Sequence, residues 1–295
     1  MTRPPSSSRA AILPNAYAPA PVPREAPCKV CGNVAGIAGV TDLSRSGADI
    51  QHGLALHNLE LTHDQIVLDK LDPCWGEAVY YYSCSVCGFT FTPCLDHWSD
   101  EEFARRIYNE DYLRHDPGFG GVRQEGWADS FLEWFGPCRQ SWTIVDYGSG
   151  LGHLERALKA RGFAQVWSYD PFGRDRTWPP VRGDIVFLNE VIEHSVDPSG
   201  SFAQLAALRK ADGVIMLTTE LCDAAILARG VVNWWYCAPR SGHVSFYSEA
   251  ALAICASAMG LSYTRVGRGL HLFHAEPRPV WIETVFPHQR PIACP

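Results

Sequence analysis

The chain has 295 residues, 46% of them apolar and 19% charged, a globular composition that excludes a disordered or fibrous protein. The formal charge of −7 comes entirely from residues 1–142, which hold 11 Lys and Arg against 18 Asp and Glu, because residues 143–295 hold 14 of each. No stretch approaches the length of a membrane span, and no basic run offers the cationic face that phosphate neutralisation needs. A small-molecule partner is therefore expected, and nucleic acid is not.

Residues 1–27 contain seven prolines and no apolar h-region, so they read as a disordered tail and a cytoplasmic location is expected. In a reducing compartment the eleven cysteines need an explanation other than disulfides. Their spacing supplies one. Cys28 and Cys31, followed by Gly32, and Cys84 and Cys87, followed by Gly88, form two C-x-x-C-G knuckles that can place four thiolates around a structural Zn²⁺. Residues 28–98 are thus read as a zinc-binding module with a long insert, within which Cys74, His52, His57 and His63 could replace a ligand.

Phe89-Thr-Phe-Thr92 alternates as a strand, and Ser99-Asp-Glu-Glu102 is a capping box that opens a helix. Residues 99–142 are read as a helical linker, in which the aromatic run from Ile107 to Tyr112 is either a packed connector or a lid. Thr143-Ile-Val-Asp-Tyr147 then predicts a short strand running into Gly148-Ser-Gly-Leu-Gly152 and a helix. That order lets backbone pass close beneath a ligand at the carboxyl edge of a parallel sheet. A second strand, Gln165–Tyr169, ends at Asp170, whose carboxylate can accept bonds from both hydroxyls of a ribose.

The stretch from Val145 to Gly152 resembles the first motif of class I S-adenosylmethionine-dependent methyltransferases, D/E-x-G-x-G-x-G. The segment 184–194 is similar to the family's fourth strand with the start of the next helix, and 213–218 to its fifth. The hairpin formed by 261–266 and 270–274 is similar to its reversed last strand. The resemblance implies an α/β fold with a Rossmann-like doubly wound sheet over residues 143–276, and S-adenosyl-L-methionine as cofactor. It places the cofactor on Asp146, Gly148, Ser149, Gly150, Gly152, Asp170, Pro171, Phe172, Asn189 and Glu190. One departure is visible: only 13 residues separate Asp170 from Asp184, so the third strand is expected to be missing. The group that meets the adenine amine then stays open between Asp175 and Asp184, with Phe172 or Trp178 stacking on the ring.

Methyl transfer requires an acceptor held in line and stripped of a proton, work that suits histidine near neutral pH. His194 after the fourth strand and His243 in the long loop after the fifth are the candidates, with Glu190 beside them and Glu193 read as a solvated partner. In the same loop Trp234, Trp235 and Tyr236 can stack on a sugar and Arg240 can grip an anion, although the tryptophans could equally cover the sheet edge. Knuckles, core and loop together are similar to bacterial sugar methyltransferases, in which matching histidines act as acid and base. Gly242 stands where that group often has an acid, so O- and C-methylation both stay open. The alternatives are an RNA methyltransferase, against which the acidic first half argues, and a cofactor-binding scaffold without catalysis. Residues 277–295, which hold most of the prolines at this end of the chain, are read as a surface tail. Neither the acceptor nor the oligomeric state is legible.

Overall fold

The computed structural model describes residues 22–46, 76–112, 116, 121–173 and 177–287. Cys74, His52, His57, His63 and Asp175, named above, lie outside them. Near the start of the chain β1 (Glu25–Pro27), β2 (Val34–Asp42), β3 (Ala78–Cys84) and β4 (Thr90–Phe91) pair antiparallel in that order. Each C-x-x-C-G knuckle is the turn at one end of a strand. Gly32 and Gly88 adopt φ of +72° and +70°, and their N–H groups donate to the carbonyls of Cys28 and Cys84. Helix α1 (Asp100–Arg106) begins where the capping box predicts, with Ser99 Oγ accepting from the Glu102 N–H. Helix α2 (Val122–Phe135) follows, buried through Ala128, Phe131 and Phe135.

A second sheet is built from β5 (Thr143–Tyr147), β6 (Gln165–Tyr169), β7 (Gly183–Asn189) and β8 (Arg209–Thr218), which are parallel. Helix α3 (His153–Ala160) connects β5 to β6, and α4 (Pro198–Leu208) connects β7 to β8. After α5 (Ala224–Arg229) comes the two-residue strand β9 (Ser245–Phe246), then α6 (Glu249–Ala258). The hairpin β10 (Ser262–Arg265) and β11 (Leu270–His274) joins β8 through an antiparallel β11, and α7 (Val280–Val285) follows. The order β10-β11-β8-β7-β5-β6 has six strands, and the described residues between β6 and β7 contain none, as the short spacing predicts. Chain direction switches sides between β6 and β7 across β5, so the crevice at the carboxyl ends of these strands is where a ligand seats in such a sheet.

Alternation along the strands divides the core between the two faces. Ile144, Ile185, Phe187, Val214 and Met216 pack with α2 and α3 on one face. Val145, Val186, Leu188, Ile215 and Leu217 pack with α4 and α6 on the other, in a cluster that also takes in Cys28, Tyr82, Cys84, Cys87, Phe89 and Phe91 of the first sheet. β9, which belongs to the loop after β8, pairs antiparallel with β4 and closes the N-terminal sheet. The two sheets are thereby stitched by backbone. Phe246 sits at the stitch, fully buried, with its ring 5.3 Å from Tyr81 and 5.5 Å from Trp234. Phe246→Ala is expected to lower the unfolding free energy by about 3–5 kcal/mol, as core aromatic truncation does, measured by urea denaturation followed by far-UV circular dichroism.

Candidate active site

The glycine turn after β5 owes its shape to sterics. Gly148 has φ +74°, and a Cβ there would come within 2.5 Å of the Val191 side chain, so no larger residue fits. Its N–H donates to the Tyr169 carbonyl at 2.7 Å, which ties the turn to the end of β6. Asp170 lies just beyond, with Oδ2 accepting from the Gly150 N–H at 2.5 Å and Oδ1 from the Phe172 N–H at 2.7 Å. These bonds fix the carboxylate at the rim and leave lone pairs on both oxygens. Beneath the turn Asp146 is buried and its Oδ2 has no hydrogen-bond partner. Burial, reinforced by the negative charges of Asp170 and Glu155, pushes its carboxyl up to about 8.

A cleft of about 1430 Å³ opens over this turn. The glycine turn, Asp170, Pro171, Phe172, Asn189, Glu190 and His194 line it, as do Ser149 and Trp178. Glu190 has φ +55°, an uncommon conformation for a side-chain-bearing residue, held by its N–H donating to Thr218 Oγ1 at 3.0 Å. The turn that follows, Ile192–His194, folds Glu193 inward until it is fully buried. The Tyr236 hydroxyl lies 2.6 Å from Glu193 Oε1, 2.9 Å from Glu190 Oε2 and 3.2 Å from Thr219 Oγ1. Burial raises both carboxyls, and the neighbouring Glu190 charge raises Glu193 further.

The two histidine rings stand edge to face, with centroids 4.8 Å apart. His243 Nδ1–H donates to the Tyr236 carbonyl at 2.7 Å, which leaves Nε2 with its lone pair. His194 Nδ1 is 3.2 Å from the Tyr108 hydroxyl and its Nε2 is 3.8 Å from Glu193 Oε1. Burial holds His194 well below the ordinary histidine value, and His243 at about 4, so both imidazoles are neutral at pH 7.

His194 lines the cleft and His243 stands behind it, so the fold brings together two histidines that are 49 positions apart in sequence. Other expectations are corrected. Glu193 is interior, not solvated. Arg240 is fully buried and donates to the Ile107 carbonyl at 3.1 Å and to Asn109 Oδ1 at 3.3 Å, so it braces the segment after α1 and is not open to an anion. Trp234 and Trp235 pack with Tyr81, Val231 and Phe246 in a further buried cluster and border a separate groove beside Arg265 and Arg268, not the cleft. Tyr236 reaches the site only through its hydroxyl and carbonyl, from behind. Asp184 sits at the opposite end of β7, paired with Lys210 at 2.8 Å, and cannot meet an adenine in this cleft. The sequence reading missed Tyr108 and Arg123, both of which line the cleft. The aromatic run around Tyr108 was the only signal for the first, and nothing in the spacing of α2 marked the second.

The four cysteines of the knuckles converge as predicted. Sγ of Cys28 and Cys87 are 3.6 Å apart and those of Cys31 and Cys84 3.5 Å, with all four within 4.8 Å of one another.

Residues 119–266 match the family model described as a methyltransferase domain, and the chain belongs to that family. It is an S-adenosylmethionine-dependent methyltransferase of class I. The match begins 24 residues before β5 and so takes in α2, which the sequence reading had placed in a linker. Among solved structures, magnesium protoporphyrin IX methyltransferase from Synechocystis PCC 6803 with bound S-adenosylhomocysteine is similar at 17% identity over 57% of this chain and 90% of that chain, with a TM-score of 0.39. The plantazolicin methyltransferase BpumL, also with S-adenosylhomocysteine, is similar at 10% identity over 58% of this chain and 90% of that one, with a TM-score of 0.40. A possible histamine N-methyltransferase from Thermotoga maritima is similar at 11% identity over 59% and 97%, with a TM-score of 0.37. No curated protein matches the chain.

Asp146 gives a test of this geometry. Its carboxyl keeps a proton in the folded chain up to about pH 8 and loses it near 3.8 when the chain unfolds, so the folded state binds the extra proton between those values. Stability must fall as pH rises through that window, by up to ~1.4 kcal/mol per pH unit from this group. Asp146→Asn is expected to flatten the slope between pH 5 and 8 in urea unfolding compared with the unsubstituted chain.

Proposed function

We propose that this methyltransferase acts on a small polar acceptor of the sugar type, a saccharide precursor or nucleotide-linked sugar, at oxygen or carbon. The observation that carries the reading is the pairing of His194, on the cleft wall, with His243 behind it, in a cleft also lined by the hydrogen-bonding side chains of Asn109, Asp116, Arg123 and Gln124. A polyhydroxy acceptor matches such a wall better than an apolar ring does.

In this reading the turn from Gly148 to Gly152, with Ser149, seats the cofactor's amino-acid end above Asp146. Asp170 accepts the ribose hydroxyls, and Pro171 and Phe172 cover the adenine, with Asn189 and Glu190 completing the seat. Trp178 and Phe172 keep about 40% of their surface exposed to the cleft, as a stacking platform requires. The acceptor's lone pair attacks the sulfonium methyl and the carbon–sulfur bond breaks with its electrons going to sulfur, giving neutral S-adenosylhomocysteine. The acceptor proton is drawn off onto a ring nitrogen of His194 or His243.

The Cys28, Cys31, Cys84 and Cys87 set fits a structural Zn²⁺. Sulfur separations near 3.5 Å approach the edge of about 3.8 Å that a tetrahedron with Zn–S of about 2.3 Å has, and four protein ligands leave no open position. The ion would tie β1 and β2 to the end of β3, close to the shared core.

Incubation with S-adenosylmethionine and a panel of nucleotide-linked sugars should yield S-adenosylhomocysteine and a product heavier by one methylene, detected by mass spectrometry. His194→Ala and His243→Ala are expected to lower turnover about 10²-fold or more, while cofactor affinity by calorimetry stays within about twofold. Turnover preserved in both variants removes the histidines from the chemistry. Metal analysis should find about one zinc per chain, and Cys84→Ser should lose it together with several degrees of thermal midpoint. Full stability without zinc rules out a structural ion.

A further inference from the structure

Behind the cleft two carboxyl groups share one hydroxyl. The single hydroxyl proton of Tyr236 lies within reach of Glu190 Oε2 and Glu193 Oε1 and can serve only one of them. Glu193 Oε2, fully buried, has no hydrogen-bond partner. His243 has spent its Nδ1–H on the Tyr236 carbonyl, which leaves Nε2 as an acceptor, and its ring centroid lies 4.8 Å from that of His194. Arg123, a cation lining the cleft, is paired with Asp116 at 2.8 Å. Buried lone pairs without protons are costly, and a positive ion removes the cost.

The positions of these atoms say what kind of ion. One ligand atom each from Glu193, His194 and His243 lie within 4.8 Å of one another. Metal bonds of about 2.1 Å require ligand separations of roughly 3–4 Å, which small side-chain rotations reach. Two imidazoles and one carboxylate suit divalent first-row cations, and three protein ligands leave open positions. His243 also shows the support usual for a ligating imidazole, its other nitrogen donating to a backbone carbonyl. The open side is toward His194 and Glu190, which line the cleft.

We infer that Glu193, His194 and His243 form a divalent-cation site on the acceptor wall, open to the cleft, where a cation takes one or two oxygens of the acceptor. Glu190, sharing Tyr236 with Glu193, adds a second carboxylate beside it. The inference rests on the acceptor reading of the same site and makes the histidines act on the acceptor through the ion. A vicinal diol or a hydroxyl beside a carbonyl is the acceptor chemistry such a site selects, because two adjacent oxygens chelate where one does not.

Mn²⁺ is the probe, because as a hard cation it favours nitrogen and oxygen ligands over the thiolates of the cysteine cluster. It is titrated alone into the full chain, previously freed of loosely held metal, and the free ion is followed by electron paramagnetic resonance. About one Mn²⁺ per chain is expected, bound at least tenfold more weakly by Glu193→Gln and by His243→Gln, with S-adenosylmethionine affinity within about twofold. Should Glu193→Gln not fold, His194→Gln, at the cleft surface, takes its place. Absence of Mn²⁺ binding, or equal binding by the variants, overturns the site. Methyl transfer that requires His194 yet survives EDTA also overturns it and leaves the proposed function standing. Mn²⁺ bound as expected, with no transfer to any sugar, keeps the site and removes the sugar acceptor.

Discussion

Four consecutive residues, His243–Phe246, are gripped from both sides, and the arrangement of the rest follows from that grip. On one side the His243 carbonyl accepts from the Tyr81 hydroxyl, the Val244 carbonyl accepts from the Thr92 N–H, and Ser245 and Phe246 pair with β4. On the other the Val244 N–H donates to the Glu193 carbonyl and Ser245 Oγ to the Ser195 carbonyl. The strip is a backbone hinge pin between the N-terminal sheet and the turn after β7. It sets His243 against His194, and it explains why a segment read as an acceptor-binding loop is mostly interior.

The same strip makes the knuckles part of the site's scaffold. Cys87 lies in the core cluster with Tyr247, and its carbonyl accepts from Ser248 Oγ, the cap of α6. A metal at the cysteines would therefore rigidify β3 and β4, and through β9 the histidine that follows Gly242. Gly242 itself has φ +85°, and a Cβ there would lie 3.0 Å from His194 Nδ1. Any side chain at this position is strained by the backbone and crowded by His194 and Tyr108. Glu193, entering from the neighbouring element, occupies the place next to the histidines.

Electrostatics in this interior work by exclusion of water. Asp146, Glu190 and Glu193 are all raised by burial, and both histidines are lowered by it, so the interior disfavours the charged form of each. A cationic cofactor, or a metal ion, is what would restore charge to these carboxylates. Low dielectric makes each such pairing strong and each omission costly, so ligand binding and the protonation of these groups are linked.

Much of this protein was legible in order along the chain. β-branched runs ending in glycine gave β5 and its turn, Ser99 marked a helix start, and the 13 residues between Asp170 and Asp184 hold no strand among those described, as their number announced. Those signals are local, because strand period, capping and positive φ act within a few residues. Cysteine spacing also pointed to the cluster that the fold assembles. What the sequence could not reveal was which polar residues face inward. Arg240, Glu193 and Trp234 have the composition of an exposed binding loop and are buried, while Tyr108 and Arg123, in an apparent linker, line the cleft. Burial of a polar side chain depends on whether a distant segment brings it a partner, here Ile107 and Asn109 for Arg240 and Tyr236 for Glu193. The sequence by itself determined the methyltransferase sheet and its glycine turn, and only the tertiary structure decided which groups meet at the acceptor wall.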